Sequence, residues 1–332
     1  MSVAAVPPLP DLLAAARVVR LPLRVPFRGV REREALLLAG PAGWGEFAPF
    51  LEYGDAEAAR WLAAAIEAAY VGFPEPVRAA VPVNATVPAV APERVAEVLA
   101  RYYGCTTAKV KVGERGQDLA DDVARVAEVR ALMGPSARVR VDANGAWSPQ
   151  QAREALGRLA AYDLEYVEQP CARVEELAVL RRELAAARVD VPVAADESIR
   201  KASDPLRVRD LGAADLIVVK VAPLGGVAAA LELVAECGLP AVVSSALDTS
   251  VGIAGGVALA AALPGLEHAC GLGTVELLAG DVTPAPMVPA GGRIAVRRVA
   301  ADPEALRRWA APPEPDHPPP TGHRLPAACT GG

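Results

Sequence analysis

Seven charged side chains of the 332-residue chain stand at the ends of short apolar runs, where packing gives no reason for a charge. They are Lys109 and Lys111 in Lys109-Val110-Lys111, Asp142 before Ala143-Asn144, Glu168, Asp196-Glu197, and Lys220. Strand alternation puts both lysines of the first run on one face, across from Val110, and Asp142 and Asn144 share a face in the same way. Asp142 and Glu168 are 26 residues apart and Glu168 and Asp196 are 28 apart, about one strand-plus-helix unit each. Three carboxylates brought to one place without His or Cys form an oxygen-only ligand set, which suits a hard cation, Mg²⁺ first. Without a metal they would repel and raise one another's pKa. A lysine beside such a cation is expected to lose affinity for its proton and approach the range of a general base. Taken singly, each residue has a plainer reading. Asp196-Glu197-Ser198 can cap a helix, Lys109 and Lys111 can be an exposed strand edge, and Lys220 can be a solvated lysine leaving its strand. The joint pattern on five successive runs is what calls for chemistry.

The elements that must carry these residues follow from the hydrophobic pattern. From residue 80, β-branched runs alternate with Ala/Leu/Glu/Arg helices. The runs are Val81–Thr86, Ala108–Val112, Val139–Asp142, Tyr166–Glu168, Val191–Ala195, Leu216–Val219, Ala241–Val243 and, more weakly, Ala269–Leu272. Eight runs with helical crossovers predict a parallel (β/α) barrel, whose chemistry sits at the C-terminal ends of its strands. The charged residues fall at those ends, and Ser244-Ser245 ends the seventh run. Residues 17–39 read as two strands joined by a turn at Pro26-Phe27-Arg28-Gly29, and residues 40–46 as a glycine-rich connection. Helical spacing over 56–71 places Trp61, Leu62, Ala65 and Ile66 on one face. Residues 1–79, joined by about 276–310, are therefore expected to form an α+β unit, residues 80–275 the barrel, and the Pro/Gly-rich residues 311–332 a disordered tail.

Composition removes other classes. Hydrophobic residues make up 52% of the chain and charged residues 22%, enough apolar material for a large core. The net charge of −6 argues against nucleic acid or an anionic membrane as partner. No apolar run reaches the length of a membrane span, and the start has no basic segment leading into an apolar one, so a cytoplasmic location is expected. Five cysteines without a Cys-x-x-Cys suggest neither a disulfide framework nor a zinc knuckle. Of three histidines two lie in the tail, so a Ser-His-Asp triad would depend on His268. Pro223-Leu224-Gly225-Gly226 lacks the Lys-Ser/Thr of a phosphate loop and reads as a turn into a helix.

Lys109-Val110-Lys111, Val141-Asp142-Ala143-Asn144-Gly145-Ala146-Trp147, Glu168-Gln169-Pro170, Asp196-Glu197-Ser198 and Lys220 together resemble the enolase superfamily, in its muconate-lactonizing subgroup. The resemblance spans about residues 15–305. It implies a (β/α)₇β TIM-like barrel with an α+β capping domain from the two chain ends. Superfamily chemistry uses a Lys or His base with Mg²⁺ stabilising an ene-diolate. Within the subgroup, Val219-Lys220-Val221-Ala222-Pro223-Leu224-Gly225-Gly226 and Ser244-Ser245-Ala246-Leu247-Asp248-Thr249-Ser250-Val251-Gly252 look like the o-succinylbenzoate synthase family of menaquinone biosynthesis.

That resemblance implies an Mg-dependent lyase, Mn²⁺ being a substitute, acting on a small-molecule carboxylate as a monomer or homo-oligomer. It implies Asp142, Glu168 and Asp196 as metal ligands, Lys111 as base and then acid, Lys109 as its neighbour, and Lys220 as a cationic partner on the opposite wall. Asn144 and Glu197 are expected to orient ligands, and Arg28, Ser244, Ser245, Leu247 and Gly271 to touch substrate. The segments Pro26–Arg31 and Gly45–Phe50 are expected to close over it. Lysines on opposite faces also suit an N-acylamino-acid racemase or dipeptide epimerase, although the Asp-x-Asp signature of the latter is absent from Ala269-Cys270-Gly271-Leu272-Gly273-Thr274. Muconate cycloisomerase is a further alternative. A barrel that only binds a metal would need no lysine on either side.

Overall fold

The computed structural model describes residues 7–27, 29–201 and 204–312. Arg28 and residues 313–332 of the expected tail lie outside the described residues. After a short helix, Leu9–Ala15, strands β1 (Ala16–Phe27) and β2 (Val30–Gly40) form an antiparallel hairpin with Ala16 opposite Leu38 and Phe27 opposite Val30. A third strand, β3 (Gly43–Phe47), adds to β2. This corrects the reading of residues 40–46 as a connection. The glycines there mark close approach, not a loop. A Cβ on Gly45 would stand 2.0 Å from the Ala65 carbonyl oxygen, and one on Gly40 2.3 Å from that of Ala69. The helix Asp55–Ile66 lies on this sheet and buries Trp61, Leu62 and Ala65, and a π-helical turn, Glu67–Val71, extends it.

The expected first barrel strand is divided. β4 (Ala80–Pro82) turns away, and only β5 (Ala85–Val87) joins the barrel. Pro82 has no N–H to give to a central ladder, so it suits a two-stranded edge. The remaining barrel strands are β6 (Thr107–Lys111), β7 (Arg138–Asp142), β8 (Leu164–Glu168), β9 (Val193–Ala195), β10 (Leu216–Val219) and β11 (Ala241–Val243). They pair in chain order, all parallel. β12 (Arg293–Ala295) returns to pair with β4. The eighth position holds no strand. Single parallel bridges from Cys270 to Val83 and from Gly271 to Ser244 join the two edges. Arg140 reinforces the closure by donating from Nη1 to the Ala269 carbonyl and the Tyr166 hydroxyl, each at 2.8 Å, while its other two nitrogens meet Glu165. His268, the one histidine available for a triad, is part of this network through Glu165 at 2.8 Å.

Alternation along the strands separates two layers. Ala108, Val110, Val139, Val141, Val167 and Val193 are fully buried in the core shared with the helices. The other face contributes Tyr166, Ala194, Leu216, Val218 and Val242, a separate cluster. Lys109, Asp142, Glu168, Asp196 and Lys220 share the register of that inner face, at its C-terminal end. Each buried aliphatic side chain in the outer layer contributes roughly 1.5–3 kcal/mol. That layer fixes the strand register, and register fixes where the charges meet. Among the described residues no helix is long and apolar enough to cross a membrane.

Two glycine substitutions test this packing. Gly45→Ala must push backbone against backbone and should lower the unfolding free energy by about 1–3 kcal/mol or more. Gly157, inside the helix Pro149–Leu159, has nothing within 4 Å of an added Cβ. Gly157→Ala should raise stability by roughly 0.5–1 kcal/mol. Urea denaturation of both variants reads the difference, and an unaffected Gly45→Ala would contradict the close approach.

Candidate active site

The register sets the site. Lys111 pairs with Asp142 across β6 and β7, and Asp142 with Glu168 across β7 and β8. Asp196 follows β9 directly, and Lys220 follows β10. These five side chains and that of Lys109 on β6 are all buried, the three carboxylates to within 1% exposure. Lys109 Nζ donates to Glu168 at 2.7 and 2.9 Å and lies 2.9 Å from Asp142 Oδ2. Lys111 Nζ donates to the same Asp142 oxygen at 2.5 Å and to Asn144 Oδ1 at 2.7 Å. Lys220 Nζ donates to Asp196 Oδ2 at 2.6 Å. Asn144 Nδ2 then donates to Glu197 Oε1 at 3.2 Å. Eight of the sequence-predicted residues, Lys109, Lys111, Asp142, Asn144, Glu168, Asp196, Glu197 and Lys220, are thus brought together.

Ser244, Ser245, Leu247 and Gly271 line one small cavity of ≈ 30 Å³ with Lys109, Lys111 and Lys220. Phe27 and Phe50, from the two segments expected to close over the site, also line this cavity. Arg28 lies outside the described residues. The sequence reading missed Thr86, Arg200 and Thr274, which line the same cavity, and assigned Trp61 to packing alone. Thr86 could have been found as the polar residue near the end of the first run. Arg200 could have been found from its spacing, four residues after Asp196 on one helical turn. Gln169, which the sequence reading gave no role, also supports the site. Its Oε1 accepts from the Asp196 and Ser198 N–H groups at 2.9 and 3.2 Å, which fixes the Asp196 backbone.

The electrostatics differ from residue to residue. Burial raises Glu168, the Asp142 charge adds to that, and the Lys109 ammonium offsets only part, leaving Glu168 at about 7. Burial would also raise Asp142, but Lys109 and Lys111 hold it well below the usual carboxylate range. Lys220 is lowered by burial, opposed by Asp196. Lys109 departs from the expectation of a lowered lysine. Burial pulls it down, yet Asp142 and Glu168 together raise it above an ordinary lysine.

As the side chains now lie, no three His, Cys, Asp or Glu side chains among the described residues are grouped to hold a metal ion. The ammonium groups are interleaved with the carboxylates. The donor chemistry nevertheless fits a hard divalent cation. Three dry carboxylates end adjacent strands, two of them already share one cationic centre at Lys109, and Glu168 remains short of positive charge.

Residues 92–301 match the enolase C-terminal domain-like family, and residues 18–69 the enolase N-terminal domain-like family. An o-succinylbenzoate synthase from Thermobifida fusca (strain YX) is 60% identical over 290 residues, 87% of this chain and 90% of the relative. The chain belongs to the o-succinylbenzoate synthase family of the enolase superfamily. A second member, from Mycolicibacterium smegmatis (strain ATCC 700084 / mc(2)155), is 59% identical over 92% of this chain and 93% of its own. Among solved structures, the L-Ala-D/L-Glu epimerase of Bacillus subtilis matches with TM-score 0.72 at 25% identity, covering 86% of this chain and 96% of that one. The muconate lactonizing enzyme of Pseudomonas fluorescens gives 0.76 at 22% identity, over 89% of this chain and 98% of that one, a likeness of fold. The (β/α)₇β barrel with an N-terminal cap expected from the sequence is therefore the fold of this family member.

Behind this site lies a buried carboxylate on β3. Glu46 accepts from the Thr249 and Gly252 N–H groups at 3.1 Å and from the Thr249 hydroxyl at 2.5 Å. Burial, together with the nearby Asp248 charge, raises its pKa to about 8 against the pull of Thr249 and Arg33. A carboxyl group raised on folding binds its proton more tightly in the native state. Its contribution is therefore full at low pH and is lost as pH rises through about 8. Metal-free protein should lose melting temperature between about pH 5 and pH 8, and Glu46→Gln should flatten that decline. Parallel slopes for the two proteins in thermal melts would contradict the assignment.

Proposed function

We propose that this chain is an o-succinylbenzoate synthase in activity as well as family. It converts 2-succinyl-6-hydroxy-2,4-cyclohexadiene-1-carboxylate to o-succinylbenzoate by syn-dehydration. The observation that carries the reading is 60% identity to such a synthase over nearly the whole of both chains. The buried lysine–carboxylate array supports it, because binding a metal alone would need no lysine on either wall. Residues 1–79 with about 276–310 would form the cap, and residues 80–275 the barrel that carries the chemistry.

Asp142, Glu168 and Asp196 would hold Mg²⁺, or Mn²⁺ in its place, which when bound supplies positive charge to stabilise a dianionic ene-diolate. Lys111 Nζ takes the proton from the ring carbon next to the carboxylate, and the C–H electrons pass into the carboxylate. The same lysine then gives its proton to the departing hydroxide as the C–O bond breaks. Both events occur on one face, water leaves, and the ring becomes aromatic. Lys109 sets the charge beside Lys111 through the Asp142 oxygen they share. Lys220, facing in from β10's end, places an ammonium against the developing negative charge. Asn144 aims Lys111, and Glu197 aims Asn144. Ser244, Ser245, Leu247 and Gly271 shape the substrate wall, and Phe27 and Phe50 exclude water. Arg28 would add a contact to a substrate carboxylate.

The test is an assay of dehydration beside racemisation of an N-succinylamino acid in D₂O. Fast dehydration is expected, and rapid α-proton exchange on both enantiomers without dehydration would favour the racemase reading. Lys111→Ala should cost roughly 10²–10⁴ in turnover, the usual size of a lost acid–base group. Lys220→Arg keeps a positive charge that cannot be given up, and should retain part of the rate. Surviving single-turnover proton exchange in Lys111→Arg, with none in Lys220→Arg, would exchange the two roles. Exhaustive chelation should abolish turnover, and Mg²⁺ should restore it.

A further inference from the structure

A continuous set of polar contacts runs through Arg200 and joins the two lysines. Its Nε donates to Asp196 Oδ1 at 3.0 Å, and the other oxygen of Asp196 carries Lys220. Its Nη2 donates to Glu197 Oε1 at 2.6 Å, the atom that also accepts from Asn144 Nδ2, and Asn144 Oδ1 accepts from Lys111. The third corner of the guanidinium, Nη1, donates to the hydroxyl of Tyr53. Tyr53 belongs to the segment between β3 and the helix Asp55–Ile66, not to the barrel. Its ring lies 5.5 Å from that of Trp61 and 6.5 Å from that of Phe50, two residues of the cavity lining. Next to it Glu52 pairs with Lys201, the residue after Arg200. Arg200 is buried, and its planar fork can hold three acceptors in fixed directions, which a lysine cannot.

We propose that Arg200 is a positioning residue for the reaction, and that Tyr53 makes its alignment depend on the cap segment 50–53 being seated. With that segment in place the guanidinium is fixed at three corners. Asp196 and Glu197 are then held in one orientation, and through them the acceptors that aim Lys220 and Lys111. When the segment lifts, Nη1 loses its acceptor, and the fork can rotate away from both carboxylates. Closing over substrate and aligning the two walls thus become a single event. The inference rests on the synthase reading for its catalytic arm and on Asp196 alone for its metal-binding arm.

A double-mutant cycle of Tyr53→Phe and Arg200→Lys tests it. Tyr53→Phe keeps the ring contacts and removes only the hydroxyl. Two quantities are read for each variant, kcat and KM for dehydration, and the Mn²⁺ dissociation constant by electron paramagnetic resonance of free Mn²⁺. Arg200→Lys should lower kcat and weaken Mn²⁺ binding by about 10–100-fold, as for other residues that orient metal ligands. Tyr53→Phe should lower kcat several-fold with KM little changed. In the Arg200→Lys background it should do nothing further, since the hydroxyl acts only through the guanidinium. Additive losses, or an Arg200→Lys variant equal to wild type in both readouts, would overturn the proposal. If Arg200→Lys does not fold, Glu197→Gln takes its place in the cycle with the same criteria. A wild-type protein that binds Mn²⁺ but does not dehydrate sinks the synthase reading, and the Mn²⁺ cycle then decides on Arg200. A wild-type protein that binds no Mn²⁺ overturns the inference itself.

Discussion

Three carboxylates buried side by side at the ends of adjacent strands are the constraint on which this structure depends. No isolated carboxylate tolerates such a place, since the desolvation cost of a buried ion amounts to several kcal/mol even after relaxation. The chain answers with cations from the neighbouring strands. Lys109 serves Asp142 and Glu168, Lys111 serves Asp142, and Lys220 and Arg200 serve Asp196. The answer is incomplete, and Glu168 shows where. It is the one carboxylate of the three whose pKa is raised, because burial and the Asp142 charge outweigh Lys109, which it shares with Asp142. A site with this residual demand for positive charge is poised for a divalent ion. The same residues that meet the demand without metal are those that would face substrate with it.

The cap is tied to this array by a second group of buried charges. Arg33 on β2 donates to the Leu247 and Ala48 carbonyl groups and covers the Phe50 ring at 4.3 Å. Glu46 on β3 binds the first turn of the helix Ser250–Ala262, and Glu67 binds the first turn of Val227–Cys237. Both side chains accept from N–H groups at the start of a helix that have no partner within the helix. Leu247 itself is held at φ +61°, a conformation a leucine adopts only when its surroundings compel it. The wall of the cavity that carries Ser244, Ser245 and Leu247 is therefore shaped from the cap side as much as from the barrel.

What could be read from the sequence was whatever local periodicity encodes. Lys109 and Lys111 on one face, Asp142 with Asn144, and the C-terminal placement of Glu168, Asp196 and Lys220 all follow from a period of two and from the barrel rule. Ser244 and Ser245 followed for the same reason. What the sequence hid depends on contacts between distant elements. Residues 40–46 looked like a connection because Gly40 and Gly45 answer to the helical segment that crosses them, at Ala69 and Ala65. Ala80–Pro82 looked like the start of a barrel strand because its partner lies more than 200 residues away, in Arg293–Ala295. The weak eighth run is weak because two bridges and one arginine replace its ladder. Arg200 and Tyr53 meet only when the cap lies on the barrel, and no spacing within either segment announces that.

Lys111 and Lys220, two of the three lysines that line the cavity, differ in the partners such distant contacts give them. Lys111 donates to a carboxylate it shares with Lys109 and to the neutral amide oxygen of Asn144. Lys111 also lies 5.0 Å from the face of the Phe27 ring, another part of the cavity lining. Lys220 has the Asp196 oxygen to which it donates at 2.6 Å, while the neighbouring Arg200 occupies the other oxygen. One ammonium thus shares its counterion with another lysine, and the other faces a carboxylate oriented by a permanently charged guanidinium. A proton acceptor and a fixed charge are distinct tasks for the same side-chain type. In the proposed mechanism that distinction would rest on which partner each carboxylate oxygen is already holding.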